Sequence, residues 1–273
     1  MRYGFVLPEG DARRAANCAR LAEEAGWDAF FVWDPVWGVD PWVSLAAAAM
    51  VTERIKLGTM LTPVSRCRPW TLAGQTATLD NLSAGRVILG VGLGAIDTGF
   101  AEFGEETDRK TRAELMDEGL DIIAGLWKGQ PFNYDGKHYH VKEISFNPPA
   151  PPIQQPRIPI WVVGAWPSEK SLSRVARWDG LLPNVQRPDG HDHGEPDDIL
   201  RMREFIEARR APDAGPLDVI VEGTTPGDDP AAAAEIVRPW AEAGATWWLE
   251  ANWTEPERSA IDERIRQGPP RQA

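Results

Sequence analysis

At 273 residues the chain is long enough to bury a substantial core and suits one large domain over residues 1–273. Its formal net charge of −12 repels phosphate backbones and anionic lipid surfaces, which argues against nucleic acid or membrane partners, and its two cysteines cannot build a disulfide framework. No apolar run reaches the length of a membrane span, and the first residues enter a strand without a signal-type apolar region, so a cytoplasmic location is expected.

The first strand is expected over residues 3–7, followed by an alanine-rich helix over 12–25 that stops at Gly26. A second strand, 29–33, ends at Asp34-Pro35, and Asp40 caps the next helix with Pro41 in its first turn. Residues 55–59 read as strand three, broken at Thr62-Pro63. A helix over 69–83 follows, then an apolar strand over 87–91 that runs into Gly92 and Gly94. After a long connection, 97–110, come a helix over 111–127 and a hairpin over 131–146 that turns at residues 134–137. The proline tract 147–152 reads as a rigid tether across the surface.

Strand five is expected over 158–164 with its helix over 168–177, and strand six over 179–183. A polar loop, 184–196, leads to a helix over 197–209. Strand seven (217–222), its helix (230–243), strand eight (245–250) and a last helix (255–266) complete the chain. Eight strand-helix alternations without an internal repeat predict the α/β class and a (β/α)8 TIM barrel, with the hairpin and proline-rich connection inserted after strand four.

In such a barrel, functional side chains project from the C-terminal ends of the strands. Trp33, Trp37, Trp166 and Trp253 would give flat apolar walls there, while Arg66, Arg68 and Arg187 could hold anionic groups. That combination suits a planar ring with a phosphate tail. The glycines of Gly90-Val91-Gly92-Leu93-Gly94-Ala95 leave three readings open: a dinucleotide fingerprint, a packing turn, or a cofactor site at a barrel mouth. Asp34, Glu9 and Glu250 are the candidate catalytic proton handlers, although a strand-end carboxylate can equally cap a helix or pair with an arginine. Cys67, between two arginines, would have a lowered thiol pKa if exposed, and is otherwise a plain loop thiol. His191 and His193 resemble a metal pair, as in metal-dependent barrel hydrolases, but lie in a Gly-, Pro- and Asp-rich stretch that favours a solvated turn, so no metal site is assigned. His138 and His140 read as surface residues of the hairpin.

Three segments in order, Leu57-Gly58-Thr59-Met60-Leu61-Thr62-Pro63, Thr78-Leu79-Asp80-Asn81-Leu82-Ser83-Ala84-Gly85-Arg86 and Leu89-Gly90-Val91-Gly92-Leu93-Gly94, resemble the luciferase-like superfamily of flavin- and deazaflavin-dependent oxidoreductases. The resemblance implies an enzyme that holds a flavin-type ring in the barrel mouth. The implied cofactor is FMN, used in reduced form by a monooxygenase on a small organic substrate, with an F420-dependent reductase or dehydrogenase as the alternative. It further implies a bulge with a cis peptide at Thr59-Met60, and cofactor contacts at Thr59, Met60, Thr62, Arg66, Gly92, Gly94, Gly164, Ala165, Trp166 and Asn184. A homodimer and a separate flavin reductase as partner are also implied. Two departures stand out: Pro35 occupies the place of a histidine, and Ala95 that of a glutamate, of many F420-dependent members. Both favour the FMN reading, and they also admit a catalytically degenerate binding subunit.

Overall fold

The structure, a computed structural model, describes residues 1–145, 147–187, 190–254 and 257–270. Parts of the expected hairpin (146), polar loop (188–189), last helix (255–256) and domain end (271–273) therefore lie outside the described residues.

The strands are β1 (Arg2–Leu7), β2 (Ala29–Val32), β3 (Lys56–Pro63), β4 (Val87–Gly92), the hairpin pair β5 (Phe132–Asp135) and β6 (His140–Ile144), β7 (Ile160–Trp166), β8 (Gly180–Arg187), β9 (Gly190–Asp192), β10 (Asp218–Gly223) and β11 (Trp247–Glu250). The helices are α1 (Ala12–Glu24), α2 (Pro41–Ala49), α3 (Pro69–Leu82), α4 (Arg109–Trp127), α5 (Glu169–Val175), α6 (Pro196–Glu207), α7 (Pro230–Glu242) and α8 (Arg258–Arg266). Parallel pairing runs β10-β11-β1-β2-β3-β4-β7-β8 and returns from β8 to β10, so the eight-stranded barrel closes as expected.

Two cores stabilise it. The larger lies between strands and helices; the smaller fills the barrel interior, where Trp161 meets Trp247 at 5.2 Å and Phe31 at 5.5 Å. Glycines make that filling possible: a Cβ on Gly58 would sit 2.8 Å from Phe31, and one on Gly180 would strike Trp161. Arg2 covers the lower end, its guanidinium 4.3 Å from the Trp247 ring centre. The open end is thus the one at the strand C-termini.

Several sequence expectations are corrected. The cis non-prolyl bond joins Met60 and Leu61, one residue beyond the mapped position. It sits inside a register shift between Thr59 and Thr62, and β3 then resumes pairing with β4 through Thr62 and Pro63. The segment expected as a polar loop instead begins as strand, since β8 runs on to Arg187 and pairs antiparallel with β9. The proline-rich tether is held at the α3–β4 junction: Asn81 donates to the Pro151 carbonyl (2.9 Å), and Gln154 binds Asp80 through its main-chain N–H (3.0 Å) and side chain (2.7 Å). Among the described residues no helix is long and apolar enough to cross a membrane.

Candidate active site

A cavity of about 870 Å³ opens at the strand C-termini. Its lining joins apolar groups, Met60 and Leu61 of the β3 bulge and Val163 of β7, with the cations Arg109 and Arg112 of α4 and Arg174 of α5. Four of the expected cofactor contacts, Met60, Gly94, Ala165 and Asn184, line this cavity, as does the candidate acid Asp34.

The remaining expected contacts, Thr59, Thr62, Arg66, Gly92, Gly164 and Trp166, are not among the residues that line this cavity. Thr59 and Thr62 are fully buried; Thr62 Oγ1 donates to Thr59 Oγ1 (3.0 Å), which donates to the Gly90 carbonyl (3.1 Å), pinning the bulge to β4. Gly92 has to be small, because a Cβ there would lie 2.9 Å from Val163 and 3.0 Å from Leu61. At Gly164 a Cβ would meet Leu172 and Val175 of α5, so this residue faces the helix layer. Trp166 is half-buried and packs against the outer core. Ala165 lines the cavity, but its N–H is given to Ser171 Oγ at 2.9 Å.

Arg66 is committed to Asp34, donating to its Oδ1 at 2.7 Å and to the Pro35 carbonyl at 2.9 Å. Burial raises the pKa of Asp34, against the opposing pull of the Arg66 charge and of the hydrogen bond that Arg66 donates. The other two candidate acids stand apart from this cavity. Glu250 is buried, accepting from the Thr225 N–H (2.8 Å) and hydroxyl (2.7 Å) and pairing with Arg264 at 3.1 Å. Glu9 opens onto a smaller side cavity instead. Cys67 is no activated nucleophile, since burial pushes its thiol up to about 12. His191 and Asp192 belong to β9 rather than to an irregular turn, and among the described residues no group of three or more His, Cys, Asp or Glu is placed to hold a metal ion.

Sequence reasoning missed the arginines of the helices. Arg109 and Arg112 are three residues apart at the start of α4, hence on one face, and that spacing directly after the strand-four exit was the available signal. Arg112 is 5% exposed and donates to the Leu93 and Gly94 carbonyls (2.8 and 3.2 Å), while its buried Nε has no partner among the described residues. Arg174 is buried and pairs with Asp117. Arg109 faces the Gln186 amide, whose oxygen, turned toward it, accepts at 2.7 and 2.9 Å. Glu222, at the end of β10, accepts from Trp253 Nε1 at 3.1 Å; burial raises its pKa, with His193 and Trp253 acting the other way.

A closed (β/α)8 barrel with a bulged third strand and an arginine-lined mouth defines a class, and comparison with known proteins gives its family. The family model described as luciferase-like monooxygenase matches residues 3–272, so the chain belongs to that family. It is an enzyme family of flavin- and F420-dependent oxidoreductases. An uncharacterized protein of Mycobacterium tuberculosis (strain ATCC 25618 / H37Rv) is 33% identical over 96% of this chain and 94% of its own length. The F420-dependent glucose-6-phosphate dehydrogenase of Nocardia farcinica is 28% identical over 85% of each. Among solved structures, the coenzyme F420 dependent tetrahydromethanopterin reductase from Methanopyrus kandleri superposes with a TM-score of 0.77 at 20% identity, covering 98% of both chains. A monooxygenase from Streptomyces bottropensis gives 0.73 at 20% identity, covering 98% of this chain and 97% of its own. These two likenesses establish the shared fold.

Proposed function

We propose that the mouth takes a flat tricyclic redox cofactor, FMN or the deazaflavin F420, and that the chain carries out a redox reaction on a small organic substrate. The observation that carries this reading is the mixed lining of the cavity, in which Met60 and Leu61 of the bulge and Val163 offer apolar surface for a ring and Arg109, Arg112 and Arg174 offer charge for an anionic tail. The fit is supported by the donor set: Arg112 Nε is buried and unpartnered among the described residues, and Ser171 Oγ, having accepted from Ala165, keeps its own proton to donate. Gly94 brings backbone close at the same end; its φ of 77° suits glycine, and a Cβ there would crowd Phe100 and Pro63 at 2.8 Å.

When bound, such a ring supplies the electron pair or hydride that no side chain here can provide. The chain's own contribution is to seat the ring against the bulge, hold the tail with arginine, and place the Asp34 carboxyl, paired with Arg66, at the cavity wall. Pro35 and Ala95 favour reduced FMN and a monooxygenase, served by a separate flavin reductase. The Nocardia farcinica relative, named as F420-dependent, and the several arginines of the mouth favour F420 and a dehydrogenase or reductase. We further propose a cytoplasmic homodimer, which no residue described above requires.

Spectral titration of the purified protein with FMN, FAD and F420, each oxidised and reduced, is the test. Saturable binding of FMN or F420 with Kd on the order of tens of micromolar or tighter is expected. Absence of both would end the reading. Oxygen consumption with reduced FMN, against substrate-dependent reduction of F420, then separates the two chemistries.

A further inference from the structure

Beside the mouth lies a second cavity of about 180 Å³, and Trp33 lines both. Its walls are apolar, formed by Leu7, Val32, Pro35, Trp37, Val39 and Pro41. Two polar side chains reach it: the Ser44 hydroxyl, which donates to the Asp40 carbonyl at 2.9 Å, and Glu9, whose side chain is 53% exposed to solvent and lies 4.0 Å from Arg258. No Lys or Arg is among its lining residues. Nothing inside it calls for an ion or a hydrogen-bonding ligand.

The apolar surface continues outward. Trp37, 81% exposed, stacks on Phe103, 59% exposed, with ring centres 6.3 Å apart and planes 25° from parallel. Trp37 belongs to the β2–α2 loop and Phe103 to the β4–α4 connection, so the pair spans two strand exits at the barrel rim. Large aromatics left in water beside a concave apolar pocket mark a ligand site more readily than a packing defect. A dry cavity of roughly 150 Å³ is known to accept benzene, which sets the size class.

We infer that this side cavity is a substrate subsite for an uncharged six-membered ring, or a branched alkyl group of similar size, with Trp33 as the partition from the mouth. Its role as a substrate subsite rests on the cofactor reading above. A substrate whose ring fills the side cavity extends past Trp33, so that its reacting end lies near Asp34 and the Met60–Leu61 bulge, which line the larger cavity. A phosphorylated sugar is a poor occupant, because its dianion would lie against proline, valine and tryptophan with only the solvated Glu9 carboxylate nearby.

Benzyl alcohol is the probe, followed by saturation-transfer NMR on the full chain. Saturable binding to the wild-type protein is expected, with no displacement by glucose 6-phosphate. Val39→Asp should weaken it by about ten-fold or more, because the new carboxylate would be desolvated against the ring. Val39 is 44% exposed, so the variant should fold, and its FMN and F420 titrations should match wild type. Trp33→Ala should widen the passage between the two cavities and admit 2-naphthalenemethanol. The inference is overturned if wild type does not bind benzyl alcohol, if Val39→Asp binds it equally well, or if glucose 6-phosphate displaces it. Probe binding without any cofactor binding would leave the pocket standing and remove the redox reading; the reverse result would remove the pocket alone.

Discussion

Asp34 and Arg66 form an ion pair of 2.7 Å in which the two side chains are 9% and 10% exposed. Because burial dominates, the folded protein holds the Asp34 proton more tightly than the unfolded chain, whose ordinary value is 3.8. The favourable contribution of Asp34 is therefore complete below about that value and is lost as pH rises through its raised folded pKa. Arg66→Met removes the charge that opposes burial, so the titration of Asp34 should move further upward, as read by NMR of 13C-labelled aspartate. The variant should lose about 3–5 kcal/mol in urea unfolding above that pKa, and less below it, where Asp34 is neutral. A downward shift would contradict the arrangement.

The Cys67 thiol, pushed up to about 12, should be about one part in ten thousand thiolate at pH 8. Cys18, buried and raised to about 11, is protected in the same way. Neither should react rapidly with a thiol-specific disulfide reagent on the native protein, while both should react in urea. A fast stoichiometric burst from Cys67 would revive it as a nucleophile.

Much of the barrel was legible because parallel strands covered on both sides read as unbroken apolar runs. Val87-Ile88-Leu89-Gly90-Val91 is such a run, and residues 87–92 are all buried. The motif alone puts the cis bond one residue early, because the bulge's register is fixed by Thr62 pairing with Val91 and by the Thr62–Thr59–Gly90 hydrogen bonds, none of which is a local property of the motif. The mouth's arginines were hidden for a related reason. Arg109 and Arg112 look like the solvated first turn of a helix until closure of the barrel turns that face over the cavity. A strand-end carboxylate is equally ambiguous, and only the fold brings Arg264 and Thr225 onto Glu250.

Glu250 should therefore behave as a structural anchor. Glu250→Ala leaves the Arg264 guanidinium, two Thr225 donors and the nearby Trp248 indole N–H without their shared acceptor, in a site where Glu250 is 4% exposed. A loss of about 3–5 kcal/mol in chemical denaturation is expected, with cofactor affinity unchanged while the protein remains folded. Unchanged stability with abolished turnover would restore it as a proton handler.

The segment Leu82-Ser83-Ala84-Gly85-Arg86 contributes to the fold rather than to the mouth, and Arg86 explains how. This side chain is 6% exposed and spends its guanidinium on five acceptors: the Ser83, Ile55, Ala49 and Thr52 carbonyls and the Thr52 hydroxyl, at 2.6 to 3.1 Å. It ties the C-terminal ends of α2 and α3 to the start of β3, at the end of the barrel opposite the cavity. No carboxylate lies within ion-pair distance among the described residues, and burial lowers its pKa accordingly. Lysine carries the charge but not the planar fork, so Arg86→Lys should strand several carbonyls and cost about 2–4 kcal/mol. Arg86→Met, which removes all five donations, should cost more. Both variants, where they fold, should bind FMN or F420 as wild type does, and a specific loss of cofactor affinity at unchanged urea midpoint would show that this motif reaches the mouth after all.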